Sequence, residues 1–175
     1  EELEYLVGSQ SRNNFISNLC LRADGNILCL YQLVEKHGEI LYNTIQEKVD
    51  DTRKVFFIHG GVAAEERERI RAITEKENNA IIIASYGTFS TGVNIRNLHN
   101  LVFASPSKSR IRNLQSIGRG LRIGDTKTHA KLYDISDDLI YRDRENYTLK
   151  HFQERMKIYN EEQFDYEIHN VDLKS

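Results

Sequence analysis

The chain has 175 residues, the length of one domain with room for a small appendage. Apolar residues make up 39% and charged residues 29%, so a sizeable core can form, and no apolar run approaches the ~18 residues a membrane-spanning helix needs. The net charge of −2 argues against nucleic acid until its distribution is considered, and two cysteines, Cys20 and Cys29, suit a reducing compartment and are too few for a disulfide framework or a four-ligand zinc site. No basic start precedes an apolar stretch, so no signal peptide is expected. Met156 is the only methionine, and Glu1-Glu2-Leu3-Glu4 reads as cut from a longer chain.

In chain order, the first buried strand is expected at Ile27–Tyr31. A helix over Leu33–Val49 places Leu33, His37, Ile40, Leu41 and Ile45 near one face. A strand at Val55–Ile58 leads to a helix over Ala63–Glu77, with Ile70 and Ile73 inward beneath a charged exterior. After a strand at Ala80–Ala84, residues 85–100 are rich in hydroxyls, glycine and asparagine. They read as a long functional loop at a strand's carboxyl end, or as an ordinary crossover with a short helix. A strand at Leu101–Ala104 precedes Pro106, the only proline, where the chain must leave the sheet. Ser107 and Ser109 are candidate N-caps for a helix to about Leu121, and the last strand is expected at Ala130–Ile135. Strands that are apolar throughout and separated by helices predict an α/β fold with a mostly parallel sheet covered on both faces.

From Leu139 the character changes. Leu149, Phe152, Met156 and Tyr159 form one helical stripe, a packing face for this domain or a neighbour. Phe164, Tyr166 and Ile168 alternate with polar residues and suggest a short edge strand. The expected division is therefore 1–138 for the α/β domain and 139–175 for a helical and strand extension.

Charge is concentrated in one place. Residues 106–131 carry seven basic side chains, Lys108, Arg110, Arg112, Arg119, Arg122, Lys127 and Lys131, against one acid, Asp125. Such a stretch is either a phosphate-binding surface or a solvated helix face. Within it runs Gln115-Ser116-Ile117-Gly118-Arg119-Gly120-Leu121-Arg122. On a helix, Gln115, Arg119 and Arg122 share a face, and two guanidinium forks there suit a phosphate chain. Gly118 and Gly120 each cost up to about 1 kcal/mol relative to alanine in a helix, which makes sense where another surface approaches closely.

The pattern Gln-x-x-Gly-Arg-x-x-Arg resembles motif VI of the superfamily 2 helicases and translocases. Ile58-His59-Gly60-Gly61 with Arg67 resembles their His-Gly element followed by an early helix arginine. Ala80–Ala84 leading through Ser85-Tyr86-Gly87-Thr88 to Gly92-Val93-Asn94 resembles motif V, and Ile27–Tyr31 stands where motif IV belongs. The four elements occur in the family's order from Ile27 to Ile135, and their wording is similar to that of a bacteriophage recombination and repair helicase.

The resemblance implies a RecA-like three-layer fold forming the second of two motor domains, with ATP between them. It implies Arg122 as an arginine finger, Arg119 as a second phosphate contact and Gln115 as their positioning partner. It brings Gly92 and Asn94 to the nucleotide ribose, although many relatives have aspartate where Asn94 stands. Gly60, Gly61, Ser85, Thr88, Lys108 and Arg110 become candidates for contacts to a nucleic-acid backbone, read without regard to sequence. Tyr86 stands where a threonine often contacts phosphate, and Ser85 or Thr88 could take that role. The implied partners are DNA, branched or duplex, and RNA–DNA hybrids, in recombination, repair and replication. The expected compartment is the cytoplasm, the host's for a phage protein.

For several of these residues a plainer role competes: His59 bonding its own loop, Arg67 on a helix surface, and Asp134, Asp137 and Asp138 at a turn and helix start. No Gly-Lys dipeptide occurs, so a G-x-x-x-x-G-K-S/T phosphate loop is missing, and no Asp-Glu pair occurs. ATP and Mg2+ would then be held mainly by an N-terminal RecA-like domain of the same polypeptide. The alternative is a non-catalytic RecA-like module that binds nucleic acid or protein.

Overall fold

The computed structural model describes residues 2–90, 95, 97–105, 131–139, 142–161 and 166–173. Five parallel strands, β1 (Ile27–Tyr31), β2 (Val55–Ile58), β3 (Ile81–Ser85), β4 (Asn100–Phe103) and β5 (Lys131–Asp134), form one sheet in the order β2-β3-β1-β4-β5. The first two match the sequence expectation residue for residue. β3 begins one residue late because the Ala80 N–H donates to the Asn26 side-chain oxygen, 2.9 Å away. Every residue of β1 and β4 is buried, the pattern of central parallel strands, while β2 and β5 form the edges.

Strand alternation sorts the core into two layers. Leu28, Leu30, Ile82, Ala84, Leu101 and Phe103 face one side, where Ile70 and Tyr159 meet them from helices α4 (Ala64–Thr74) and α6 (Tyr147–Glu161). Ile27, Cys29, Tyr31, Ile81, Ile83 and Val102 face the other, covered by Ile16 and Cys20 of α2 (Gln10–Arg22) and Leu41 and Ile45 of α3 (Glu39–Lys48). Each buried Leu, Ile, Val or Phe among them contributes about 1.5–3 kcal/mol by burial. Both cysteines are buried free thiols. Together these layers are the three-layer RecA-like arrangement expected. No helix among the described residues is long and apolar enough to cross a membrane.

Several elements differ from expectation. Two helices, α1 (Glu2–Gly8) and α2, precede the first strand and were not foreseen, because the buried face of α2 includes Arg12, Asn13 and Ser17 and blurs its apolar period. The helix expected from Leu33 opens with a π turn at Val34–Gly38, in which His37 and Gly38 N–H groups both reach the Leu33 carbonyl at 3.0 Å. The buried line runs from His37 through Leu41 to Ile45, and Ile40 is 40% exposed. Of the two readings of residues 85–100, the short helix α5 (Tyr86–Ser90) that follows β3 favours the crossover with a short helix.

On α6 the fully buried positions are Thr148, His151, Arg155 and Tyr159, and Met156 only packs beside them. The line is rotated because Arg155 is drawn in by Asp134, at 2.6 and 2.8 Å. Of the expected edge strand, the described part has no ladder: residues 166–173 run without ladder partners, with Tyr166 and Ile168 exposed, and Phe164 lies outside the described residues. The helix expected from Ser107 to Leu121 also lies outside them.

Candidate nucleotide and nucleic-acid interface

Because all five strands are parallel, their carboxyl ends share one edge, where ligands bind in open α/β sheets. β2 and β3 are neighbours, with Ile58 opposite Ala84, so the turn after Ile58 and the start of α5 after Ser85 lie side by side. The edge therefore assembles four of the predicted contact residues, Gly60, Gly61, Ser85 and Thr88.

The β2 turn is closed by the Val62 N–H donating to the His59 carbonyl at 3.0 Å. The Gly61 N–H donates to His59 Nδ1 at 3.1 Å, so His59 bonds its own loop and the Gly61 amide is engaged within the turn. A Cβ at Gly61 would lie 2.9 Å from the His59 ring, which explains glycine there. Gly60 is exposed with open space around it.

Ser85 and Thr88 hydroxyls lie 2.6 Å apart, and the Thr88 N–H donates to Ser85 Oγ at 3.2 Å. Thr88 is buried and Ser85 half-buried, so Ser85 is the hydroxyl nearer solvent. Tyr86 is buried against Phe103, with ring centroids 5.9 Å apart. Burial first, then the Asp134 carboxylate, push its phenol well above its usual range, and the ring is a core element rather than a phosphate contact. Arg67 is half-buried on α4, and its Nε is shut from solvent without a hydrogen-bond partner.

At the centre of the edge, the connection from β1 leads toward β2 and that from β4 toward β5. This crevice is bridged by His37 Nδ1 and Ser105 Oγ, 2.6 Å apart and buried. Burial, followed by the charge of Arg12, pushes His37 down to about 3, so it is neutral at physiological pH. Arg12 itself forms a bidentate pair with Asp137 at 2.8 and 2.9 Å. Asp134 accepts from Arg155, Tyr159 and Ser136. Asp134, the last residue of β5, and Asp137, in the irregular stretch that follows, thus serve buried arginines well before α6 begins rather than a helix start. No group of three or more His, Cys, Asp or Glu side chains gathers as a metal site among the described residues.

The motif V segment is anchored at both ends. α5 leads in, and on the far side Ile95 is buried in the core while Asn97 Nδ2 donates to the Thr74, Glu75 and Glu77 carbonyls at 2.8–3.3 Å. Asn26 reaches the same point, donating to the Thr74, Glu77 and Asn97 carbonyls. Neither asparagine was singled out from the sequence: Asn26 is one polar residue ahead of a strand, and Asn97 is one of several asparagines in residues 85–100. Gly92, Asn94, Lys108, Arg110, Gln115, Arg119 and Arg122 lie outside the described residues.

A family model for the helicase conserved C-terminal domain matches residues 11–124. The chain is 34% identical to the ATP-dependent DNA helicase uvsW of Enterobacteria phage T4 over 99% of its own length. It spans 36% of that relative, about a third. The crystal structure of T4 UvsW superposes with a TM-score of 0.80 at 33% identity, covering 99% of this chain and 37% of that one. The C-terminal domain of the DEAD-box protein Dbp5 matches at TM-score 0.62 and 12% identity, over 89% of this chain and 82% of that one, a likeness of fold alone. The chain belongs to the helicase conserved C-terminal domain family.

Proposed function

We propose that the chain is the second motor domain of an ATP-dependent DNA helicase or translocase, acting with an N-terminal RecA-like domain that carries the phosphate loop. The observation that carries this is the 34% identity to a phage DNA helicase sustained over 99% of the chain. The motif residues fall in order along it, and the described ones meet at one sheet edge.

In this reading Arg122 and Arg119 reach the γ-phosphate of ATP held by the N-terminal domain and neutralise charge in the transition state, with Gln115 positioning them. Gly92 and Asn94 approach the ribose and couple it to nucleic acid. Gly60, Ser85, Lys108 and Arg110 hold the nucleic-acid backbone, with Gly61 and Thr88 shaping the turn and the short helix behind them. The described carboxylates nearest the edge, Asp134 and Asp137, are bound to arginines, so they do not fit Mg2+, which is left to the N-terminal domain. The substrates proposed are branched DNA and RNA–DNA hybrids in recombination, repair and replication, in the host cytoplasm.

The test is DNA-stimulated ATPase and unwinding by the complete protein on forked, four-way, linear and RNA–DNA substrates. DNA-dependent hydrolysis with preferential action on the branched forms is expected. A protein that binds DNA without any stimulated hydrolysis would instead be a non-catalytic module. In the same assays Gly92→Val should reduce coupling while the fold remains intact, because the backbone must approach its ligand closely there. Normal stimulation and unwinding by Gly92→Val would count against that role.

A further inference from the structure

A row of rings runs from the core to the rim of the sheet beside the β2 turn. Tyr31 is fully buried, with its hydroxyl donating to the Ile58 carbonyl at 3.2 Å. Its ring stacks on Phe57 at 5.8 Å, Phe57 stacks on Tyr42 at 5.3 Å, and His59 lies 5.2 Å from Phe57 at an interplanar angle of 49°. Phe57 and His59 are two residues apart and so share a face. Tyr42, Phe57 and His59 are half-buried, and the row ends at the imidazole, next to exposed Gly60. β2 is an edge strand, a position usually protected by charge or proline, and here it carries aromatic surface instead.

The imidazole is also held still. Its Nδ1 accepts the Gly61 N–H, and the missing Cβ of Gly61 leaves room for the ring. A rigid π-face backed by two further rings, beside a turn open to solvent, has the character of the stacking platforms that receive unpaired bases.

We propose that His59, backed by Phe57 and Tyr42, is a stacking platform for one unpaired base of the nucleic acid that crosses the Gly60–Gly61 turn. This rests on the reading of the carboxyl edge as a nucleic-acid interface, and it adds a base contact, tolerant of sequence, to contacts otherwise made to phosphates.

A competing role for His59 is to pin the turn through Nδ1, and substitutions separate the two. The complete protein is titrated with a single-stranded oligonucleotide and with an abasic strand of equal length, with folding of each variant checked by thermal melting. His59→Ala should weaken the normal strand about tenfold and leave the abasic strand unchanged. His59→Phe, which keeps a ring but loses the acceptor, should bind within about twofold of the parent. His59→Asn, which can still accept the Gly61 N–H but has no ring, should behave like His59→Ala. The platform is overturned if His59→Asn retains binding while His59→Phe loses it, or if His59→Ala affects both strands equally or neither. Should the parent bind neither strand, the nucleic-acid reading of the edge falls, and the platform with it.

Discussion

At the residue scale, the chemistry rests on side chains whose neighbours fix what they can do. Ser85 and Thr88 look equivalent in the sequence, but Thr88 is buried within the short helix and Ser85 is half-buried, with its hydroxyl bonded to Thr88. Ser85→Ala in the complete protein should therefore lower nucleic-acid affinity modestly, by about 1 kcal/mol for one lost hydrogen bond. Thr88→Ala should chiefly lower stability. Affinity titrations and melting of the two variants check this. Gly60, Gly61 and Ser85 were legible as residue types suited to a phosphate contact. Their relation to the His59 ring was not, because it depends on how the turn folds back on β2. Motif VI was legible only through family resemblance: spacing alone put Gln115, Arg119 and Arg122 on one face without naming a ligand.

At the element scale, strands were easier to read than helices. β1 and β2 were legible to the residue because both are apolar from end to end, β1 buried at the sheet's centre and β2 half-buried at its edge, whereas α2 hides Arg12, Asn13 and Ser17 on its inner face. The α6 register was misread for a similar reason: a charged residue, Arg155, points inward because an aspartate waits there. Hydrogen bonds across the amino edge of the sheet were invisible to periodicity altogether. Asn26 joins the end of α4, the start of β3 and the return from the motif V segment. Asn26→Ala should destabilise the fold by about 3 kcal/mol, since it strips the Ala80 N–H and the Asn97 carbonyl of their partner and leaves the Thr74 and Glu77 carbonyls to Asn97 and the local backbone. Chemical denaturation measures it, and a loss under 1 kcal/mol would contradict the hub role. Next to it, Gly25 has φ +95, and a Cβ there would lie 2.5 Å from the His99 ring, so Gly25→Ala should destabilise by more than about 1 kcal/mol.

At the scale of the whole molecule, the first helix of the chain is joined to α6. The Glu2 carboxylate accepts the Tyr147 and Thr148 N–H groups at 2.9 and 2.8 Å, together with the Thr148 hydroxyl and the Asn146 amide, and so caps α6 from α1. Burial alone would raise its pKa, but these hydrogen bonds outweigh burial and draw it down to about 2 from 4.5. A carboxylate depressed on folding stabilises above its unfolded value and loses that contribution as pH falls. The cap should therefore hold at neutral pH and weaken between about pH 4.5 and 2. Glu2→Gln should lower stability at pH 7 and converge with the parent near pH 2, as followed by denaturation across that range. Beneath the cap, Arg12 with Asp137 and Arg155 with Asp134 fasten α2 and α6 to the exit of β5, so α6 is tied into the domain it covers.

This tied scaffold carries the described part of the carboxyl edge, and the role proposed for the chain is to present fixed charges to a nucleotide bound elsewhere. Steady-state ATP hydrolysis with saturating DNA, paired with nucleotide-binding titration, tests that role most directly when the complete protein is compared with Arg122→Ala. A finger acts where charge is redistributed in the transition state, so nucleotide binding should persist while turnover falls by about 10³ or more. Arg122→Lys should rescue only partly, because a point charge on a flexible stem does not reproduce the planar fork. Turnover by Arg122→Ala within a few-fold of the parent would contradict a trans-acting arginine in this chain.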